Sequence, residues 1–317
     1  MINLMTYGFP LSVFLWIGAA FLGAFLSFII FGTMTFAILF ILYILGMLHI
    51  KPLIEKIQHF FQYMFPNTLA NIQENMKISF PINIAPYFTE TEGKLPKDTP
   101  YIFVWHPHGL FSCANFYHCA SGQTDFFQKT RSVVHSYMKY IPFSEEILGL
   151  YNLVFSDYDS MKEAVTNTES LGIMLGGATE ILYTEPHAMK LHIQNKRGIF
   201  RLALTTGTPL VPVFVYGENE LFTLSKTPFI QFIQSIAQLF HIVLPIPTLE
   251  SIYKWSHISQ EPFELPVQTI VGTPIHVTKK ESPSFEDIEE LRNKYFTALK
   301  KLYEETKPAY YKPLEII

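Results

Sequence analysis

Charge is missing from the start of this chain: residues 1–50 contain no Asp, Glu, Lys or Arg. So long a stretch cannot all face the core of a soluble domain, and it is about twice the roughly 20 residues that cross a bilayer as a helix. Cysteine is nearly absent, with Cys113 and Cys119 alone, which excludes a disulfide framework. There is no long basic run and the formal net charge is −4, so nucleic acid is not an expected partner. No Asn-x-Ser/Thr acceptor occurs. Several reaction signatures are lacking as well. The chain has no Gly-x-Ser-x-Gly elbow, no P-loop, no dinucleotide fingerprint and no His-Glu-x-x-His, and these absences tell against the chemistry each motif carries.

What is present starts with length. The 317 residues suffice for one sizeable domain with an accessory segment. The charge-free stretch divides into apolar runs at 11–30 and 34–48, separated by Gly32 and Thr33. A transmembrane helical hairpin that enters and leaves on one side is the simplest reading. A single span with a re-entrant or interfacial piece is the alternative. Lys51, Glu55 and Lys56 follow, and their modest basic excess assigns that end to the cytosol. The expected organisation is a membrane-embedded hairpin at 1–50 and a cytosol-facing domain at 51–317.

Residues 52–80 alternate apolar and polar residues at helical spacing, and 80–100 read as loop. Strands are expected at 101–105, 172–175, 210–216 and 269–277, from their β-branched and aromatic content. Pro212 argues that the third is an edge strand or carries a bulge. Helical patterns at 162–169 and 198–206 lie between strands, and this alternation gives an α/β layered domain. The clearest helix is 285–303, with Ser284 as cap and Asp287 three residues on. Ile288, Leu291, Tyr295, Leu299 and Leu302 form its apolar stripe.

Three local patterns can carry chemistry. His106-Pro107-His108-Gly109 directly follows the first strand, and a strand end is where α/β folds place reacting groups. Pro107 fixes one φ angle and Gly109 allows close backbone approach. A histidine near neutral pH can take a proton from an alcohol and return it to a thiolate. The plainer reading is a structural histidine in a turn. A metal site from His106, His108, Cys113, His118 and Cys119 matches no standard zinc spacing, so no metal is expected. The second pattern, Gly176-Gly177-Ala178-Thr179-Glu180, follows another strand. Glu180 is either the acid that orients a histidine or a carboxylate on a helix dipole. The third is Asn195-Lys196-Arg197-Gly198 with Arg201. Cations crowded at a helix start suit phosphate groups, and equally suit a solvated basic face.

Taken together, these motifs resemble the diacylglycerol acyltransferase type 2 family, which also holds monoacylglycerol acyltransferases and wax synthases. The likeness rests on YIFVWHPHG at 101–109, LGGATE at 175–180, NKRGIFRLAL at 195–204, LVPVFVYGENELF at 210–222 and VGTPI at 271–275. It implies a domain with the αβ architecture of glycerolipid acyltransferases. It also implies an enzyme of the endoplasmic reticulum membrane, on its cytosolic face, and of lipid droplets. The partners implied are acyl-CoA as co-substrate, an acylglycerol or other lipid alcohol, and membrane lipid, with no cofactor. A homo-oligomer is left open. Catalysis maps onto His106, His108 and Glu180. Substrate contacts map onto Pro107, Gly109, Gly176, Gly177, Asn195, Lys196, Arg197, Gly198, Arg201 and Glu218. Two departures stand out. A family arginine near Pro142 is replaced by Glu145, and no arginine follows the strand before Tyr158.

Overall fold

A computed structural model describes residues 82–86, 99–121, 127, 129–140, 152–239, 242–256 and 267–317. The expected hairpin at 1–50, the helical pattern at 52–80 and Glu145 lie outside them. Nearly all described residues belong to one compact unit, Ser79–Met138 with Tyr151–Ile317.

Its centre is β2, Ile102–His106, in which every residue is buried. Parallel sheets are buried on both faces and therefore read as continuous apolar runs. On one side β2 pairs in parallel with β5, Ser170–Met174, which leads through β3, Thr130–Val134, to β4, Leu153–Phe155. On the other side it pairs in parallel with β7, Leu210–Tyr216. Beyond β7 run β8, Val267–Val271, antiparallel to it, and β1, Ile82–Pro86, parallel to β8. The sheet order is β1-β8-β7-β2-β5-β3-β4. β4, β3, β5, β2 and β7 thus point the same way, and their C-terminal ends share one edge.

Helices cover both faces, as parallel strands require. On one face lies α1, Cys113–Ser121, whose His118 stacks on Trp105 at 5.6 Å. Gly172 in β5 lets α1 approach: a Cβ there would sit 2.7 Å from the Asn115 side chain, which donates to the Gly172 carbonyl at 3.1 Å. On the other face lie α2, Tyr158–Thr166, and α3, Gly198–Thr206. They pack into a core with Ile102, Val104 and Phe214. The long helix α7, Phe285–Thr306, closes that core with Leu291, Tyr295, Leu299, Leu302 and Tyr303 buried. Each such side chain contributes about 1.5–3 kcal/mol on leaving water. Between β7 and β8 come three helices: α4, Glu218–Leu221, α5, Pro228–Leu239, and α6, Leu249–Ser256. A small second sheet pairs β6, Lys190–Leu191, with β9, Glu315–Ile316.

The α/β class and the tail helix match the sequence reading, while three expectations need correction. Residues 80–100 were expected as loop, yet they contain β1. The 269–277 strand ends at Val271, with an isolated bridge from Ile275 to Leu210. Pro212 does not mark an edge strand, since β7 is flanked by β2 and β8. The ladder to β8 is instead interrupted at Pro212, where the chain bends away after Gly272 and returns at Ile275. The Gly272 N–H donates to the Pro212 carbonyl at 2.8 Å. Among the described residues no helix is long and apolar enough to cross a membrane.

The Ser284 hydroxyl accepts from the Asp287 N–H while the Asp287 carboxylate accepts from the Ser284 N–H. Breaking this reciprocal cap with Ser284→Ala is expected to cost about 1 kcal/mol. Removing the buried Leu299 side chain as Leu299→Ala should cost about 2–5 kcal/mol. Melting curves of the two variants in one detergent should rank in that order.

Candidate active site

The parallel strands deliver the sequence-predicted residues to one edge. His106 is the last residue of β2. Its imidazole is buried among Phe214 and Tyr295, with Nε2 2.8 Å from the Tyr295 hydroxyl. Burial without a counter-charge lowers its pKa to about 3, so the ring stays neutral and anchors α7 to the central strand. None of its recorded partners is His108 or Glu180.

His108 is half-buried and faces different company. Its Nδ1 lies 3.0 Å from the Gly109 carbonyl and 3.3 Å from the Ser112 hydroxyl. A carbonyl only accepts, so Nδ1 carries the ring proton, and the Ser112 hydroxyl donates its own to the His108 carbonyl at 2.9 Å. This leaves Nε2 as the basic nitrogen. Burial lowers the pKa of the ring, partly offset by its bonds to the backbone. His108 is accordingly neutral and able to accept a proton near pH 7. Pro107 is buried between the two histidines.

Two buried glutamates hold this turn, and neither reaches the imidazole. Glu180, 2% exposed, accepts the His108 backbone N–H at 2.7 Å through Oε1 and the His192 N–H at 2.8 Å through Oε2. Gly176 makes room for it, since a Cβ there would sit 1.9 Å from Oε2. Gly177 adopts φ +63° at the start of the 3-10 turn Ala178–Tyr183 that carries Glu180. Glu218, equally buried, lies beneath Gly109, where a Cβ would meet its Cγ at 2.6 Å. Its oxygens accept the Cys113 and Ala114 N–H groups at 2.7 and 3.0 Å and so cap α1. Burial raises both carboxyls to about 7, against their backbone bonds.

The basic cluster is split. Burial, and then the charge of Lys196, lowers the pKa of His135, and the same cation opposes the burial that raises Glu180. Arg197 is held by Glu289 on α7 at 2.7 Å and lies over the Phe285 ring. Arg201 lies over the Tyr158 ring. Asn195 and Gly198 are exposed at the start of α3. His135, at the end of β3, and Ser112, with φ +53°, were not singled out in the sequence. A histidine closing a strand in the same sheet as His106 was the available signal. Cys113 and Cys119 are free, buried thiols. His118 turns to Thr269 at 3.0 Å, and among the described residues no three His, Cys, Asp or Glu side chains gather as a metal site would need.

Because Glu180 fills the space over Gly176, Gly176→Ala must expel the carboxylate and its two backbone bonds. Charge-assisted bonds contribute about 1.5–3 kcal/mol each. Gly177→Ala meets no atom and carries only the strain of a positive φ, about 1–2 kcal/mol. Parallel melting curves should show Gly176→Ala as clearly the more damaging substitution.

The family model described as diacylglycerol acyltransferase matches residues 28–315. The chain is 33% identical over 223 residues to bovine (Bos taurus) 2-acylglycerol O-acyltransferase 1, covering 66% of this chain and 66% of that protein, a little under two thirds of its length. It is 28% identical over 219 residues to human (Homo sapiens) acyl-CoA wax alcohol acyltransferase 2, covering 65% and 66%. Among solved structures, the 1-acyl-sn-glycerophosphate acyltransferase PlsC from Thermotoga maritima superposes over 95% of each chain, with a TM-score of 0.41 and 13% identity. A likeness at that level carries no argument. The family model spans nearly the whole chain, including the histidine turn and both glutamates, and on that match this chain belongs to the diacylglycerol acyltransferase family.

Proposed function

We propose that this chain transfers the acyl group of acyl-CoA to the hydroxyl of a neutral lipid, in a domain of the glycerolipid-acyltransferase kind. The observation that carries this reading is His108: a neutral histidine with a proton-bearing Nδ1 and a basic Nε2, at the shared edge of five parallel strands. Nε2 takes the proton of the acceptor hydroxyl as its oxygen attacks the thioester carbonyl. The tetrahedral intermediate collapses, the C–S bond breaks, and the coenzyme A thiolate recovers the proton from His108. Such a base contributes about 10²–10⁴-fold in rate. His106 does not enter this chemistry directly and keeps β2 and α7 in register. Glu180 fixes the His108 backbone. Lys196, with the exposed start of α3, is the element suited to a coenzyme A phosphate.

Diacylglycerol is the proposed acceptor. A monoacylglycerol is the second reading, favoured by the name of the bovine relative. The same reading puts the chain on the cytosolic face of the endoplasmic reticulum or on lipid droplets. Its support is the charge-free 1–50 stretch followed by Lys51 and Lys56.

The decisive experiment supplies labelled oleoyl-CoA with diacylglycerol, monoacylglycerol, fatty alcohol or sterol to membranes containing the full chain. Label should enter acylglycerol, and His108→Ala should reduce it by about 10²–10⁴-fold. Full activity in well-folded His108→Ala protein would overturn the assignment.

The pH profile gives a second test. Glu180 holds the turn through two bonds that only its ionised form makes fully, and it ionises at about 7. The rate should therefore rise with pH through that region. Glu180→Gln should shrink this limb to the part carried by Glu218, which is also raised to about 7. Lys196 stabilises the Glu180 anion, so Lys196→Met should move the limb to higher pH.

A further inference from the structure

Helix α5 presents an apolar face to its surroundings. Its buried side chain is Gln234, whose Oε1 accepts the Leu244 N–H at 3.0 Å. Ile230, Ile233 and Ala237, half-buried, share that inner face, while four large apolar residues face outward: Phe229 is 70% exposed, Phe232 64%, Ile236 44% and Leu239 78%. At 100° per residue these four share one stripe about 80° wide. Leu249 and Ile252 on α6 are exposed as well. A patch of this kind on a folded domain marks an interaction site.

The excursion that bears α5 is closed at its neck and joined to the site. Thr248 N–H donates to the Thr223 carbonyl and Ser225 N–H to that of Ile246. Leu224 bridges Pro247, and Thr223 N–H bonds the Ser251 hydroxyl at 2.9 Å. Just before the neck, the Phe222 ring packs edge-on against Phe111 at 4.8 Å. Phe111 lies three residues beyond His108. The excursion therefore projects from the edge of the sheet that carries the histidine turn.

Composition selects the occupant. Residues 227–249 contain no Asp, Glu, Lys or Arg. Protein interfaces surround an apolar centre with a polar rim and about ten hydrogen bonds, and 227–249 itself supplies no ion-pairing group to such a rim. A lipid surface asks for none. An amphipathic helix lying in it buries its apolar face about 5–10 Å deep. Exposed Lys226 precedes the stripe, at the level where phosphate headgroups lie.

We propose that the 223–248 excursion rests on a lipid surface, with the α5 stripe among the acyl chains, and so brings the mouth of the His108 site to the leaflet that holds the acceptor. The choice of a lipid rather than another occupant rests on the acyl-transfer reading above. This contact lies within the compact unit that carries the histidine turn.

The test uses the full chain reconstituted in phosphatidylcholine vesicles, with a bimane label on Phe232→Cys or on Gln238→Cys, which lies off the stripe. Bromine on the acyl chains should quench the Phe232→Cys label at least about threefold more than the Gln238→Cys label, as expected for a face sunk about 5–10 Å. Aqueous iodide should show the reverse order. Equal iodide access at the two positions would overturn the proposal. So would protection of Phe232→Cys in lipid-free detergent that disappears on dilution, because the occupant would then be a second copy. In assays, Phe229→Ser with Phe232→Ser should raise the KM for a long-chain acceptor about tenfold and leave turnover of a short-chain, water-soluble acceptor unchanged. Bromine quenching in a chain that transfers no acyl group would leave the contact standing and sink the acyl-transfer reading. Transfer with equal iodide access would do the opposite.

Discussion

The site depends on a buried carboxylate that grips backbone instead of side chains. An ionised carboxylate in an apolar surrounding is costly unless hydrogen bonds surround it. Glu180 meets this by taking one N–H from the histidine turn and one from His192, two segments distant in sequence. Glu218 does the same with the first N–H groups of α1. The pair fixes where the turn begins and where the next helix starts, and His108 lies between those points. Both glycines opposite, Gly176 and Gly109, are small because a carboxylate occupies the volume a side chain would need.

The pleat of β2 separates two histidines that look equivalent in sequence. Successive side chains alternate faces, so Trp105 joins α1 while His106 joins α7. The chain then turns at Pro107 and His108 leaves the sheet altogether. One histidine becomes part of the core and the other becomes accessible. Their pKa directions agree, since burial lowers both, but their partners differ. A hydroxyl from α7 meets His106, and backbone and Ser112 meet His108.

Much of this was legible in the sequence, for physical reasons. The β2 run is apolar because both its faces are covered, and the α7 stripe follows the helical period with a capping box before it. The histidine turn and the Gly-Gly-Ala-Thr-Glu segment stood out because they interrupt strands with residues that do not continue them. Other parts were hidden. β1 and β3 are short and draw their pairing from neighbours far along the chain, and Pro212 marked an interrupted ladder inside the sheet. The Glu180 and Glu218 targets are backbone groups, which leave no trace in residue identity. Helix α5 has an ordinary amphipathic pattern. Pattern alone assigns the apolar face to the core, and only the surrounding chain shows that it points away.

The small β6–β9 sheet has a consequence in time. Residues 312–317 are zipped along 187–194, with Lys312, Glu315 and Ile317 N–H groups donating to the His187, Met189 and Leu191 carbonyls. That stretch includes His192, whose N–H completes the grip of Glu180. The Tyr311 hydroxyl accepts the Gly217 N–H beside Glu218. Synthesis runs from the N-terminus, so the histidine turn leaves the ribosome roughly two hundred residues before the tail that braces the segments around its glutamates. A nascent chain thus carries the histidine turn on an unfinished scaffold, and the tail that braces the neighbours of both glutamates arrives late, in one short segment.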